Sequence, residues 1–142
     1  MLATIGYQNA TLAEVIGKLK AAKVDLLIDV RAVAASRRAG FSKTILKNSL
    51  AAEGIEYLHL KALGTPKEGR LASRAGRKQE MREIFSAHLE TPEAVDAFAQ
   101  LRALIETRRA ALLCFEAKAE DCQRRVLTER LAAEEELEIH DL

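Results

Sequence analysis

The sequence predicts an α/β protein: a three-layer sandwich with a largely parallel central sheet flanked by helices. Three observations predict it. Short apolar runs of strand length alternate with segments whose apolar residues recur every three or four positions. One run, Val24 to Val30 (VDLLIDV), is nearly continuous, as a strand covered on both faces requires. The length of 142 residues suits one domain, 1–142, with no repeat, low-complexity tract or linker.

The elements follow in order. Leu2 to Gly6 is a short apolar strand. Thr11 with Glu14 three positions later is a capping box, and Leu12, Val15, Ile16 and Leu19 continue as an amphipathic helix to about Ala22. The VDLLIDV strand comes next, then a loop from Ala32 to Ser42. Ile45, Leu46 and Leu50 predict a short helix ending before Gly54, and Ile55 to Leu58 a further strand. Residues 61–77 hold three glycines, one proline and many cations, and read as a long exposed loop. Met81, Ile84, Phe85 and Leu89 predict a helix. Thr91-Pro92-Glu93 starts another, carried on by Val95, Phe98, Leu101 and Ile105. Ala110 to Phe115 is a strand, Cys122 to Glu136 a helix, and Leu137 to His140 a last strand. Right-handed crossovers put the strand ends on one rim. Those ends are Gly6-Tyr7, Asp29-Val30-Arg31, His59-Leu60 and Cys114-Phe115-Glu116, and ligands of such sheets bind there.

Composition narrows the classes. Apolar residues are 49%, charged residues 30% and aromatics 4%, so the core must be mostly aliphatic and there are few rings to stack single-stranded bases. The net charge is only +1, yet residues 30–52 carry five cations and no acid, and residues 61–82 carry seven cations against Glu68 and Glu80. Such blocks suit an anionic partner, or are solvated faces. No segment resembles a signal peptide or a membrane span, so the expected location is cytoplasmic, with no membrane partner. Two cysteines in that setting read as unpaired thiols, with a reversible disulfide as the alternative.

Ordered motifs carry a resemblance. They are Thr4-Ile5-Gly6-Tyr7; Asp29-Val30-Arg31 with Ser36-Arg37 and Gly40-Phe41; Gly54-Ile55-Glu56-Tyr57 with Leu63-Gly64; and Leu112-Leu113-Cys114-Phe115-Glu116 with Cys122-x-Arg124. Together they resemble the DUF488 family, small bacterial and archaeal α/β proteins without an established function. The resemblance implies a cytosolic α/β domain and a shared site, not a reaction. The family commonly shows Cys-His-Arg where this chain has Cys122-Gln123-Arg124. Gln123 cannot titrate, which weakens a His-dependent mechanism here.

The candidate catalytic residues are Cys114, Glu116 and Asp29. Cys114 is a nucleophile if Arg124, Arg125 and a helix dipole favour its thiolate, and otherwise a small buried residue. Glu116 and Asp29 supply two carboxylates for acid–base work, or pair with Arg31 or Arg124. The candidate ligand-binding residues are Tyr7, Arg31, Ser36, Arg37, Phe41, Cys122, Arg124 and Arg125. Arg124 and Arg125 sit in a first helical turn, where backbone N–H groups already favour an anion. His59 is a general base or a structural residue. Paired metal-ligand spacings such as C-x2-C are missing, so no metal site is expected, although the cysteines with His59 or Glu116 offer donors. Gly64 to Leu71 mimics P-loop glycine spacing but lacks its Lys and Ser/Thr.

The expectation is an anion-binding pocket at the strand-end rim, holding a phosphate-bearing small molecule or nucleic acid and acting on it if the protein is an enzyme. The alternatives are a non-catalytic nucleic-acid-binding module and a redox-responsive dithiol protein. No particular cofactor is indicated.

Overall fold

The computed structural model describes residues 1–142. Five strands form one parallel sheet in the order β3-β2-β4-β1-β5: β1 (Leu2–Gly6), β2 (Leu26–Asp29), β3 (Glu56–His59), β4 (Ala110–Cys114) and β5 (Ile139–Asp141). The sheet is wholly parallel, and no helix is long and apolar enough to cross a membrane. The helices are α1 (Leu12–Ala21), α2 (Lys43–Ala51), α3 (Lys67–Arg74), α4 (Lys78–His88), α5 (Pro92–Thr107) and α6 (Gln123–Glu134).

Period-two alternation sorts the strand residues between two cores. Leu26, Ile28, Ala110 and Leu112 pack with Phe85, Leu101 and Leu127, from α4, α5 and α6. Leu27, Ala111, Leu113, Ala3 and Ile5 pack with Val15, Leu19, Leu46 and Leu50, from α1 and α2. Both faces are therefore dry, which is why β2 and β4 read as unbroken apolar runs. The capping box at Thr11 forms as expected, and Thr91 caps α5 through Ala94 N–H with Pro92 at its start.

The stretch 61–77 corrects the expected loop. It contains a one-turn 3₁₀ segment at Lys61–Leu63 and then α3. Pro66 stands at the N-cap of α3, where its missing N–H costs nothing, and the helix buries only Gly69 and Ala72. An interior face of two small residues leaves almost no hydrophobic period to read. Gly69 is small for a reason: a Cβ there would lie 2.5 Å from the Thr65 methyl.

Strand order places the site. The chain leaves β1 and β2 toward α1 and α2 on one face, and leaves β4 toward α6 on the other. Connections diverge at the carboxyl end of β4, between its neighbours β1 and β2, and open a crevice there. The segment after β4 crosses over the end of β1, where Gln8 N–H donates to Phe115 O at 2.8 Å. Gly6 permits that crossing, since a Cβ on it would fall 1.7 Å from Glu116 O.

Two glycine substitutions test this packing in opposite directions. Gly6→Ala must push backbone apart and should cost about 3 kcal/mol in urea denaturation. Gly17→Ala, exposed in the middle of α1 with nothing near its Cβ, should stabilise by about 1 kcal/mol.

Candidate functional site

Above the crevice lies a cavity of about 740 Å³. One wall comes from the strand ends, with Tyr7, Arg31, Ser36, Cys114, Phe115 and Glu116. The opposite wall comes from α3 and the start of α4, with Arg70, Ser73, Arg74 and Lys78.

Below it, Arg31 and Asp29 form a buried pair. Arg31 Nε donates to Asp29 Oδ1 at 2.9 Å and Nη2 to Oδ2 at 2.7 Å. Arg31 Nη1 donates to Tyr7 Oη at 3.1 Å and to Phe41 O at 2.7 Å. Tyr57 of β3 donates its hydroxyl to Asp29 Oδ2. Burial opposes the charge on Arg31, but the hydrogen bonds and charge of Asp29 outweigh it and raise its pKa. Burial, and then the same carboxylate, raise Tyr57 well above the ordinary phenol. Asp29 is fully buried, so it faces Arg31 and Tyr57 rather than the cavity. Phe41 is buried too, stacked behind Tyr7 with ring centroids 4.4 Å apart.

A second buried guanidinium, Arg124, anchors the loop after β4. It donates to Thr4 Oγ1 at 3.2 Å, Cys114 Sγ at 2.9 Å, Glu116 O at 2.6 Å and Ala117 O at 3.1 Å. None of these acceptors is a carboxylate. Burial therefore lowers the Arg124 pKa, opposed by the more distant Asp141 and Glu116 charges.

Cys114 and Cys122 are joined, eight positions apart in sequence, so the expectation of unpaired thiols is corrected. Cys122 is the N-cap of α6, and it meets the end of β4 because the 3₁₀ turn Ala119–Asp121 folds the intervening loop back. The Glu116 carboxylate lies 3.7 Å from Cys114 Sγ, and burial raises its pKa. Gln123 begins α6 directly after Cys122. Its amide donates to Val30 O at 3.1 Å, and its Oε1 lies 2.9 Å from Cys122 Sγ. It thereby ties α6 to the end of β2.

Among the remaining expected site residues, Arg37 is exposed and outside the cavity. Arg125 also lies outside, paired with Asp141 at 3.3 Å and Glu120 at 3.9 Å. His59 bonds Arg31 O at 2.7 Å, away from the cavity. Ser36 lines the cavity, and its Oγ accepts from Arg38 N–H, leaving the hydroxyl proton for a ligand.

The cavity's available cations are ones sequence reasoning did not single out. Arg70 is half-buried and donates one bond, to Thr65 O at 2.8 Å. Arg74 is exposed and stands one turn further along the same face of α3. Lys78 pairs with Asp121, whose pKa it lowers. The signal was the i, i+4 spacing of Arg70 and Arg74, invisible while residues 61–77 passed for a loop.

A parallel α/β sandwich defines the class of fold, and its polar cavity at the strand-end switch point is the candidate site. The profile of the family described as "Domain of unknown function DUF488" matches residues 11–131, and the chain belongs to that family. No curated protein and no solved structure matches.

The buried pair makes a prediction about stability. Asp29→Ala strands the Arg31 charge in the interior and should cost about 3–5 kcal/mol in chemical unfolding. A double variant, Asp29→Ala with Arg31→Met, should recover a large part of that loss. A double-variant cost equal to the sum of the two single-variant costs would show that the pair does not couple.

Proposed function

We propose that this chain binds a phosphate-bearing small molecule, of nucleotide size, in the strand-end cavity. The observation that carries this reading is the wall formed by Arg70, Arg74 and Lys78. Guanidinium groups grip phosphate oxygens bidentately, and two on adjacent turns of one helix can hold one group together. The volume falls within the roughly 300–1,000 Å³ typical of small-ligand sites. Phe115 supports a base at the other end: the residue is 42% exposed, lines the cavity and packs T-shaped with Tyr7, ring centroids 5.3 Å apart. Base-on-ring stacking needs such a fixed, open aromatic face. Cys114 and Glu116 are the groups placed for chemistry on a ligand seated there, and Cys114 serves as nucleophile only when reduced.

Calorimetric titration with a nucleoside 5′-monophosphate, the nucleoside and inorganic phosphate tests this. The monophosphate should bind best. Arg74→Ala should weaken it about tenfold or more, as loss of a charged hydrogen bond implies, while Phe115→Ala should leave phosphate binding in place. Tight binding of single-stranded oligonucleotides with no binding of mononucleotides would favour the nucleic-acid module instead. No binding of either would overturn both.

A second reading, a redox-responsive dithiol, is favoured by the joined sulfurs beneath the cavity. Thiol counts before and after mild reduction, with the cavity's affinity measured in each state, distinguish it.

A further inference from the structure

We propose that the reduced protein holds a zinc-class divalent cation between Cys114 Sγ, Cys122 Sγ and the Glu116 carboxylate. Three observations carry this. First, the donor atoms of these three residues lie within 4.8 Å of one another. Two thiolates and a carboxylate are the mixed soft and hard set that zinc takes, and three protein ligands leave a fourth position open. Cys114 and Glu116 line the cavity, so the open position faces it.

Second, the backbone is set wider than a disulfide asks. The two Cα atoms are 7.4 Å apart, beyond the roughly 4.4–6.8 Å usual for the bridge. Two thiolates each about 2.3 Å from one tetrahedral metal sit nearly 4 Å from each other, which suits the wider spacing.

Third, a buried cation faces the sulfurs. Arg124 is a buried cation with no carboxylate among its hydrogen-bond acceptors, and one N–H points at Cys114 Sγ at 2.9 Å. A guanidinium N–H so placed stabilises anionic sulfur, the form a metal binds, once the bridge is reduced. A divalent cation with two thiolates and one carboxylate carries a single negative charge, the same as the disulfide with Glu116, so filling the reduced site leaves the charge beside Arg124 balanced.

The chemistry balances as follows. A phosphine breaks the S–S bond, taking oxygen from water to become phosphine oxide, and the sulfurs gain two electrons and two protons. The metal then binds both sulfurs and the carboxylate, releasing the two thiol protons to solvent. A cellular dithiol replaces the phosphine by thiol–disulfide exchange, becoming a disulfide itself.

The test uses the full chain, reduced anaerobically with a phosphine, desalted and titrated with cobalt(II) alone. Cobalt reports its ligands by colour. One equivalent should bind, with thiolate-to-cobalt charge-transfer absorption in the near ultraviolet and the intense visible bands of tetrahedral coordination, and zinc should displace it. Cys114→Ser and Cys122→Ser should each weaken binding more than about 100-fold, and Glu116→Gln about 10–100-fold with the sulfur bands retained. His140→Ala, which removes an exposed imidazole beside Glu138, should change nothing. Air-oxidised wild-type chain should bind no cobalt, which keeps the test valid even if a cysteine variant fails to fold. Absence of charge-transfer absorption from reduced, natively folded protein would overturn the proposal, as would equal binding by the oxidised chain. The metal reading is independent of the anion reading, because its probe is the metal alone.

Discussion

The pairing of Arg31 with Asp29 is the interaction on which the rim of the sheet depends. Six donated hydrogen bonds reach or leave that one guanidinium and its carboxylate partner, counting Tyr57 and the Arg31 backbone N–H. Their partners come from β2, from β3, from the residue after β1 and from the loop entering α2. A guanidinium in a dry setting cannot leave donors unused, so its fork fixes the separation of the strand ends. Tyr7, held by that fork and stacked on Phe41, then supports the exposed edge of Phe115. The cavity floor is thus polar in composition but closed to new partners.

Arg124 does the same on the other side of β4, with one difference. Asp29 neutralises Arg31, whereas Arg124 is surrounded by a hydroxyl, two carbonyls and a sulfur. The two arginines therefore shape their surroundings differently. The first creates a self-contained pair. The second leaves a positive field in the interior, directed at the cysteines and felt by Glu116. The guanidinium N–H aimed at Cys114 Sγ is the contact through which Arg124 reaches the sulfur pair.

Much of this was legible in the sequence, and the reasons are physical. VDLLIDV and the AALLC strand announced a sheet covered on both faces, because dry strands cannot alternate with polar residues. Thr11 with Glu14, and Thr91 with Pro92, announced helix starts through capping chemistry that needs no tertiary context. The rim residues were legible as a group, because parallel strands share one carboxyl edge. Their roles were not. An arginine at a strand end looks the same in sequence whether it grips a ligand or a neighbouring carboxylate; only burial decides, and burial is a property of the whole fold. Helix α3 failed to announce itself for a related reason. Its inward face is Gly69 and Ala72, so its stability comes from fitting closely against α4 and Thr65 rather than from apolar side chains.

That inversion of roles decides where recognition can occur. The arginines that end β2 and begin α6 are consumed in holding the strand ends together. The arginines of α3 have little internal work, since Arg70 gives one bond to Thr65 and Arg74 stands exposed on the cavity wall. Opposite them lie the acidic and sulfur-bearing groups, Glu116 and Cys114. On the proposed function, a ligand in this cavity would meet the α3 cations at one end and, at the other, the Phe115 ring with the electron-pair donors Glu116 and Cys114. A simple anion satisfies only the α3 wall. On the proposed function, a molecule with a phosphate at one end, and a group able to meet a carboxylate at the other, would satisfy both. On the proposed function, the chemistry of the two walls would favour a ligand with two unlike ends, and a bare phosphate would be the least complete occupant of the space.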